Sequence, residues 1–499
     1  MCKWFSRRGK KRDNVPAPVK EETSQAKVDC PFCQEEFLCN EILFYQKSGS
    51  LFEPVQSDKE GHQNAARTDH TDHTDFCFGE DIQDEVLRKT MKPYGGGKKF
   101  RITLQQRFFK IAEQAEVEKE REKDNETPQL GYVTEWEHSS SDQQLRVPKV
   151  LKVWDKEREG YVSVTGRACP KCHCLIPEDF YSVSSSRRHI VALSGCTSAG
   201  KTQFMLVALH DLMKLGRSLQ LCSIEIADCS KIFYKSVLSE YEERGGTDAT
   251  NVATRMFPIL FRVRAADKNI PDSWVSLYDC AGEYARDSDY ALNQEGLKRA
   301  TELLLLVDPH QVMDGVKRSD NNTNCTEFVE NALIQFQKYE SLGKELKHIT
   351  AVLTKFDLIL DTEGMQKDFP RDTGAGDGML ITTHDMGVHK EAVDRKVLET
   401  ISKQLLTQEQ LSGLLPEIQK HAGGNQVDEE NILLLGCSTF TWTSDGRLER
   451  KKDTDGKWQL DGSEADRHRV IEPLLAVLSN IEAVAVKGTD DEPSRGRRK

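Results

Sequence analysis

The sequence predicts an α/β fold in which a mainly parallel sheet is flanked by helices. Short apolar segments typical of buried strands alternate with longer segments of helical periodicity in the second half of the chain, which indicates strands joined by helical crossovers. The clearest strand segments are HIVALS (189–194), TELLLLVDP (301–309), HITAVLTKFD (348–357) and ILLLGCSTF (432–440). Each leads into a polar or glycine-containing turn, and such strand ends carry the ligand sites of parallel sheets.

The first of these strands runs into GCTSAGKT at 195–202, which matches every defined position of G-x-x-x-x-G-K-[ST]. The segment KTQFMLVALHDLMKLG then predicts a helix that ends at Gly216. In this pattern the glycines let backbone N–H groups face phosphate oxygens, the lysine reaches the β- and γ-phosphates, and the hydroxyl holds Mg²⁺. We therefore predict a nucleotide phosphate site. Its residues are Gly195, Cys196, Thr197, Ser198, Ala199, Gly200, Lys201 and Thr202.

Length and charge limit the other possibilities. A chain of 499 residues is long enough for two or three domains with separate cores. A net charge of −12 argues against a nucleic-acid-binding surface spread over the whole protein. Fourteen cysteines are too few for a disulfide scaffold of this length, and no apolar run is long enough to span a membrane. Because the chain starts without an apolar signal segment, we expect a reducing, cytoplasmic location.

Both ends of the chain predict disordered tails. Residues 1–28 begin with a basic cluster beside Trp4 and Phe5 and continue into a linker-like segment. A basic tail is the preferred interpretation, and contact with an anionic membrane is the alternative. Residues 486–499 end in DDEPSRGRRK, which is also typical of a tail.

Two Cys-Pro-x-Cys sequences, CPFC and CPKC, predict a metal site. Each is a tight turn that can direct two sulfurs at one ion, and together they supply the four thiolates of a tetrahedral structural zinc site. The ligands would be Cys30, Cys33, Cys169 and Cys172. The long insertion between the turns is tolerable because loop-closure entropy grows slowly with length. We therefore predict a split zinc-ribbon-like module over 29–188. Two unrelated buried pairs are the alternative, and Cys39, His173 and Cys174 are possible substitute ligands.

The insertion has mixed character. Helical spacing of Leu104, Phe108, Ile111 and Ala115 predicts a helix with a charged end. VPKVLKVW and GYVSVTG predict strands that return the chain to the second turn.

After the phosphate loop, MFPILFRVR (256–264) and SWVSLYD (273–279) predict an antiparallel hairpin. The second strand ends in DCAGE, which places Asp279 at a strand end beside the phosphate loop. A carboxylate there would hold Mg²⁺ through water, and the N–H of Gly282 would face the γ-phosphate.

The strand HITAVL ends in TKFD at 354–357. The stem of Lys355 would lie over a purine, and Asp357 would accept hydrogen bonds from guanine N1–H and its amino group. Adenine lacks both donors, so such a carboxylate selects guanine. Taken alone, TKFD also fits a surface strand end.

The series GCTSAGKT, DCAG, TKFD and GCST, each at a strand end, is similar to the G motifs of the translation-factor-like and Ras-like P-loop GTPases (TRAFAC class). The resemblance covers 189 to about 485 and implies a P-loop NTPase domain of the Ras-like type over 189–485, with insertions. The Cys-Pro-x-Cys pairs extend the similarity to zinc-ribbon-bearing, mostly bacterial GTPases of the double-GTPase type.

This resemblance implies roles for individual residues. Asp279 and Gly282 correspond to the second switch, and Thr254 is preferred over Thr250 as the first-switch threonine. The guanine site comprises Thr354, Lys355 and Asp357, with Cys437 and Ser438 as the fifth motif. The catalytic residues are Lys201, Thr254, Gly282 and Glu283.

One departure from the motif series concerns turnover. Glu283 stands where Ras-like enzymes carry a water-orienting glutamine, and its charge opposes that of the γ-phosphate. The implied function is a Mg²⁺-dependent GTP switch that hydrolyses GTP slowly without a protein partner or effector. The alternatives are an ATP-using P-loop enzyme and a nucleotide-binding scaffold of low turnover.

Overall fold

The protein is described as a computed structural model. The described residues are 26–45, 53–54, 86, 100–101, 108–121, 130–138, 146–155, 158–195, 199–245, 258–279, 299–309, 333, 346–356, 388–389, 392–406, 411, 413–422, 427–437, 441–442, 448–449, 452, 454–458 and 470–487.

Twenty-three short strands are defined in these residues. They are β1 (Lys27–Asp29), β2 (Glu36–Leu38), β3 (Leu43–Tyr45), β4 (Glu53–Pro54), β5 (Phe100–Arg101), β6 (Phe108–Ile111), β7 (Leu130–His138), β8 (Arg146–Asp155), β9 (Gly160–Val164), β10 (Gly166–Ala168), β11 (Leu175–Ile176), β12 (Arg188–Gly195), β13 (Cys222–Ile226), β14 (Ile259–Ala265), β15 (Ser273–Asp279), β16 (Glu302–Val307), β17 (His348–Leu353), β18 (Val388–His389), β19 (Ala392–Asp394), β20 (Ile432–Gly436), β21 (Thr441–Trp442), β22 (Leu448–Glu449) and β23 (Val486–Lys487).

The helices of the same residues are α1 (Gln114–Arg121), α2 (Lys201–Ser218), α3 (Asp228–Arg244), α4 (Arg395–Leu406), α5 (Leu414–Ala422) and α6 (Glu472–Asn480). None of these described helices is long and apolar enough to cross a membrane.

The main sheet has seven strands in the order β13-β14-β15-β12-β16-β17-β20. Strands β15, β12, β16, β17 and β20 are mutually parallel, and β14 is antiparallel to both of its neighbours. The α/β prediction is therefore confirmed, as is the hairpin of β14 and β15. This central part of the sheet is apolar because its strands are buried on both faces, and β16 and β20 are buried along their whole length.

Helices supply the other layer of the main core. Helix α4 packs against β20, and α6 packs against β16 and β17. The buried stripe of α4 consists of Leu398, Ile401 and Leu405, with the spacing of one helix face.

The N-terminal module is built on a second seven-stranded sheet, in the order β11-β10-β3-β6-β7-β8-β9, with the β1–β2 hairpin beside it. Its core also contains residues of the main sheet region, namely Ala227, Cys229, Ile232, Leu260 and Trp274. Packing therefore continues across the predicted boundary between 188 and 189, which falls within strand β12.

The prediction of a helix through Phe108 is wrong for residues 108–111. Phe108–Ile111 form strand β6, which pairs with β3 and β7, and the helix begins only at Gln114. Phe109 is buried and Lys110 is exposed, so the alternation of a strand is present in this short segment. Hydrogen bonding to two neighbouring strands therefore outweighs the helical spacing of the apolar residues in this segment.

The first helix after the phosphate loop does not end at Gly216, because α2 continues to Ser218. Gly216 is needed for close packing instead, since a Cβ there would lie 3.0 Å from the carbonyl oxygen of Cys222. At the chain ends, β1 begins at Lys27 and β23 pairs with β19, so both predicted tails overlap strands.

Candidate functional site

The carboxyl ends of the parallel strands bring the predicted nucleotide residues to one edge of the main sheet. Strand β12 ends there at Gly195, β15 at Asp279 and β17 at Leu353. After β12 the chain forms β13, β14 and β15 on one side of that strand, and it then crosses to form β16 on the other side. Such a switch point opens a crevice at the strand ends, where α/β sheets bind ligands.

The predicted phosphate loop begins with a glycine that the packing requires. Gly195 has φ 152°, and a Cβ there would lie 2.5 Å from the carbonyl oxygen of Leu306 in the neighbouring strand. Gly200, with φ 79°, precedes the first turn of α2, whose amino end is directed at the loop. Cys196, Thr197 and Ser198 lie outside the described residues, whereas Ala199 is buried.

The side chain of Lys201 is held by the loop. Its Nζ donates a hydrogen bond to the carbonyl oxygen of Gly195 at 2.9 Å, and the residue is only 7% exposed. The ammonium group is therefore fixed beside the start of the loop. A phosphate oxygen is a stronger acceptor than a neutral carbonyl, so it can replace Gly195 as partner of Lys201.

Thr202 and Asp279 are brought together although they are 77 residues apart in the sequence. The Thr202 hydroxyl donates to Oδ2 of Asp279 at 2.6 Å, and Asp279 is 5% exposed. A buried carboxylate is unfavourable without a positive or hydrogen-bonding partner. A hydroxyl and a carboxylate are also ligand types that suit Mg²⁺, which prefers oxygen. The residues present thus fit the predicted cation.

The end of β17 carries the predicted base-recognition residues. Lys355 has φ 53° and its Nζ donates to Oδ2 of Asp308 at 2.6 Å. The Thr354 N–H donates to the carbonyl oxygen of Val307 at 3.0 Å, which ties this turn to the end of β16. Asp308 was not selected from the sequence. The rule applied to Asp279, a carboxylate at the end of a buried parallel strand, would also have found Asp308.

The fifth predicted motif lies next to this turn. The N–H of Cys437 donates to the carbonyl oxygen of Leu353 at 2.9 Å, and the N–H of Phe356 donates to that of Cys437 at 3.1 Å. These two bonds join the ends of β17 and β20. Asp357 and Ser438 lie outside the described residues.

Apart from Asp279, the predicted switch residues are also outside the described part of the chain. This applies to Thr250, Thr254, Gly282 and Glu283. Their roles remain predictions.

The four predicted zinc ligands form a cluster. The Sγ atoms of Cys30 and Cys172 are 3.7 Å apart, those of Cys33 and Cys169 are 3.8 Å apart, and all four lie within 4.8 Å of one another. A tetrahedral ion with Zn–S bonds of about 2.3 Å requires sulfurs about 3.8 Å apart. The cluster could therefore hold a metal ion of this kind.

The predicted substitute ligands are not part of this cluster. Within the described residues it is the one group of at least three metal-ligand side chains that close together, and it does not include Cys39, His173 or Cys174.

The two cysteine turns have the same backbone geometry. In the first, the Gln34 N–H donates to the carbonyl oxygen of Cys30 at 3.0 Å, and in the second the His173 N–H donates to that of Cys169 at 2.9 Å. Both Gln34 and His173 are left-handed, with φ 60° and 58°. In each turn an N–H group also donates to the first sulfur at 3.3 Å. N–H donors of this kind favour the thiolate form.

Pairing of β3 with β10 brings the two turns together, since Leu43 lies opposite Ala168. Burial raises the pKa of the Cys30 thiol well above its ordinary value. Four thiolates, three of them buried and that of Cys33 half-buried, would therefore need a cation among them.

Comparison with known proteins gives little further information. No protein-family model matches the chain, and no curated protein sequence matches it. Among solved structures, it is similar to the S. cerevisiae Ski7 GTPase-like domain bound to GTP, with 17% identity, 50% of this chain and 43% of that chain covered, and a TM-score of 0.25.

Two further solved structures give similar values. The same Ski7 domain bound to GDP and inorganic phosphate has 17% identity, coverage of 59% and 50%, and a TM-score of 0.24. The sup35 structure complexed with GDP has 12% identity, coverage of 54% and 41%, and a TM-score of 0.20. The chain thus spans half or less of the length of these three structures.

Proposed function

We propose that this protein binds GTP with Mg²⁺ at the carboxyl edge of the main sheet and hydrolyses it as a molecular switch. The observation that carries the proposal is the contact of Thr202 with Asp279 beside the buried Lys201. These groups come from the phosphate loop and from a separate strand. Their convergence supplies a cation, a hydroxyl and a carboxylate at one helix amino end, which is the chemistry needed by a Mg²⁺–nucleoside triphosphate.

Phosphate binding uses the loop and Lys201. Backbone N–H groups at the start of α2 face the phosphates, and Lys201 exchanges the carbonyl of Gly195 for oxygens of the β- and γ-phosphates. Thr202 and Asp279 hold Mg²⁺, which neutralises phosphate charge when it is bound.

Guanine recognition is assigned to the end of β17. Asp357 accepts the hydrogen bonds of guanine, and the stem of Lys355 covers the base. The ion pair with Asp308 supports this role because it anchors the ammonium group of Lys355 at the site. Hydrolysis involves Thr254, Gly282 and Glu283, and the charge of Glu283 makes it slow without a protein partner. The four clustered cysteines hold one structural Zn²⁺.

The test is competitive binding of GTP and ATP to the purified full chain, with Lys201→Ala beside it. We expect the wild type to prefer GTP, and Lys201→Ala to weaken GTP binding about 100-fold, because a charged hydrogen bond contributes about 1.5–3 kcal/mol and Lys201 makes more than one. Lys214→Ala, an exposed lysine of the same helix, is the matched control and should bind normally. Unchanged GTP affinity in Lys201→Ala would remove the phosphate site. A wild type that prefers ATP would remove the guanine assignment.

A further inference from the structure

Strand β15 belongs to both parts of the molecule because its side chains alternate between two environments. Val275 and Leu277 belong to the main core together with α2. Trp274 belongs to the core of the N-terminal module. Since successive side chains of a strand point to opposite faces, Asp279 lies on the face of Val275 and Leu277, and Ser276 and Tyr278 lie on the face of Trp274.

The side chains on the second face bind the first cysteine turn. The Ser276 hydroxyl donates to the carbonyl oxygen of Pro31 at 3.2 Å, and the Tyr278 hydroxyl donates to that of Phe32 at 2.9 Å. Pro31 and Phe32 are the two residues between Cys30 and Cys33. Ser276 and Tyr278 are each only 4% exposed, so water does not readily replace these bonds.

The cysteine cluster is thereby connected to the phosphate site through one strand. Tyr278 holds the turn that presents two of the four sulfurs, and the next residue, Asp279, accepts the hydrogen bond of Thr202. A metal ion on the four sulfurs would fix the conformation of that turn, and the fixed turn would hold the end of β15 in place.

We propose that Ser276 and Tyr278 are positioning residues that couple zinc binding at the cysteine cluster to nucleotide binding at Asp279. This inference rests on the proposed GTP site. Coupling between two ligands is reciprocal, so zinc strengthens nucleotide binding and nucleotide strengthens zinc binding by the same factor.

The experiment measures zinc release at equilibrium from the full, zinc-loaded chain to a coloured chelator, with and without a non-hydrolysable GTP analogue and Mg²⁺, and this release gives the zinc dissociation constant. In the wild type we expect the nucleotide to lower that dissociation constant at least about fivefold, which is the lower end of typical coupling between two sites. In Tyr278→Phe, which keeps the ring and loses the donor, nucleotide should change the dissociation constant less than about twofold.

A matched control is available on the same turn. The Tyr181 hydroxyl donates to the carbonyl oxygen of Asp29 at 3.0 Å, directly before Cys30, but Tyr181 is not on β15. Tyr181→Phe should weaken zinc binding and leave the nucleotide effect intact. If Tyr181→Phe abolishes that effect as fully as Tyr278→Phe, general loosening of the turn explains it and the proposal is overturned.

The outcomes separate this inference from the proposed function. If the analogue binds the wild type and zinc release is unchanged, the coupling does not exist and the GTP site stands. If the analogue does not bind the zinc-loaded wild type, the proposed function itself fails. Should Tyr278→Phe not fold, Ser276→Ala replaces it, and the affinity of wild type for the analogue before and after chelation gives the coupling factor independently.

Discussion

Lys355 shows how a single residue can indicate a site. A left-handed backbone costs a residue with a side chain about 1–2 kcal/mol, and Lys355 adopts it at φ 53°. Its ion pair with the buried carboxylate of Asp308 offsets that cost. Backbone strain of this kind is concentrated at ligand sites. The conformation therefore supports placing the base at the end of β17.

Asp357, two residues after Lys355 in the sequence, is expected to decide which base is bound. Asp357→Asn should weaken GTP binding by several kcal/mol, since a carboxylate that accepts two hydrogen bonds from a base is lost. The amide offers an N–H donor, so the variant should gain affinity for XTP, whose C2 carries a carbonyl group. Competition among GTP, XTP and ATP measures both effects, and ATP should bind poorly to both forms. A variant that keeps its GTP affinity would show that TKFD is an ordinary strand end.

His189, at the start of β12, predicts a pH dependence of stability. Burial, with smaller contributions from Arg187 and Lys347, lowers the pKa of His189 from 6.5 to about 4. The unfolded chain therefore takes up a proton at a higher pH than the folded chain does. Stability is unaffected above about pH 7 and falls as the pH drops from 6.5 towards 4.

We expect this histidine to remove up to about 2 kcal/mol from the free energy of unfolding between pH 7.5 and pH 5. His189→Gln lacks the titrating ring and should lose less stability over the same range. Urea unfolding of both proteins at the two pH values gives the comparison. Equal losses in wild type and variant would mean that His189 is protonated as easily in the folded as in the unfolded chain.

At the scale of elements, the strands of the main sheet were predictable because burial on both faces makes them continuous apolar segments, as in β16 and β20. The phosphate-loop helix was predictable from its glycine pattern and its apolar periodicity. Segments whose conformation depends on residues distant in the sequence could not be predicted in this way. Strand β6 forms because β3 and β7 pair with it. Gly216 is explained by its close packing against Cys222 and does not mark a helix end.

The candidate site also has features that could be predicted from the sequence and features that could not. The sequence identified Thr202 and Asp279 separately, and their contact depends on two strands lying side by side. Asp308 follows a buried strand and could have been selected by the same rule as Asp279, but its contact with Lys355 depends on β16 lying beside β17. The connection between the cysteine turn and β15 could not be predicted at all, because hydrogen bonds from Ser276 and Tyr278 to backbone carbonyls leave no sequence pattern.

The two cysteine turns predict how much zinc the protein binds. Metal analysis of tag-free protein should find about one zinc per chain, and Cys169→Ser should reduce this to nearly none, because three sulfurs cannot close a tetrahedral structural site. Cys39→Ala is the control, since Cys39 is buried but outside the cluster. Zinc retained in Cys169→Ser would mean that the two turns do not share one ion.

At the scale of the whole molecule, the N-terminal module covers part of the main sheet. Leu260 and Trp274 of β14 and β15 are 0% and 3% exposed within the core of that module. Ion pairs reinforce the junction, since Arg299 contacts Asp29 at 2.8 Å and Glu36 at 2.9 Å. Because both carboxylates are about half exposed to water, each of these pairs contributes only a small part of the stability. The apolar contacts account for most of the stability of the junction.

We therefore predict that residues 189–487 do not form a stable domain alone, although the sequence predicts a domain boundary there. Removal of residues 26–188 would expose Leu260, Trp274 and Ile232, and each large apolar side chain loses about 1.5–3 kcal/mol when its burial is lost. A loss of several kcal/mol is a large share of the stability of a domain.

The chain that lacks residues 26–188 should aggregate or unfold at a clearly lower temperature than residues 26–499. Removal of residues 1–25 alone is the control and should leave the unfolding temperature unchanged. Calorimetry of the full chain should show the N-terminal module and the main sheet unfolding in one transition, and two separate transitions would show that the junction is weak.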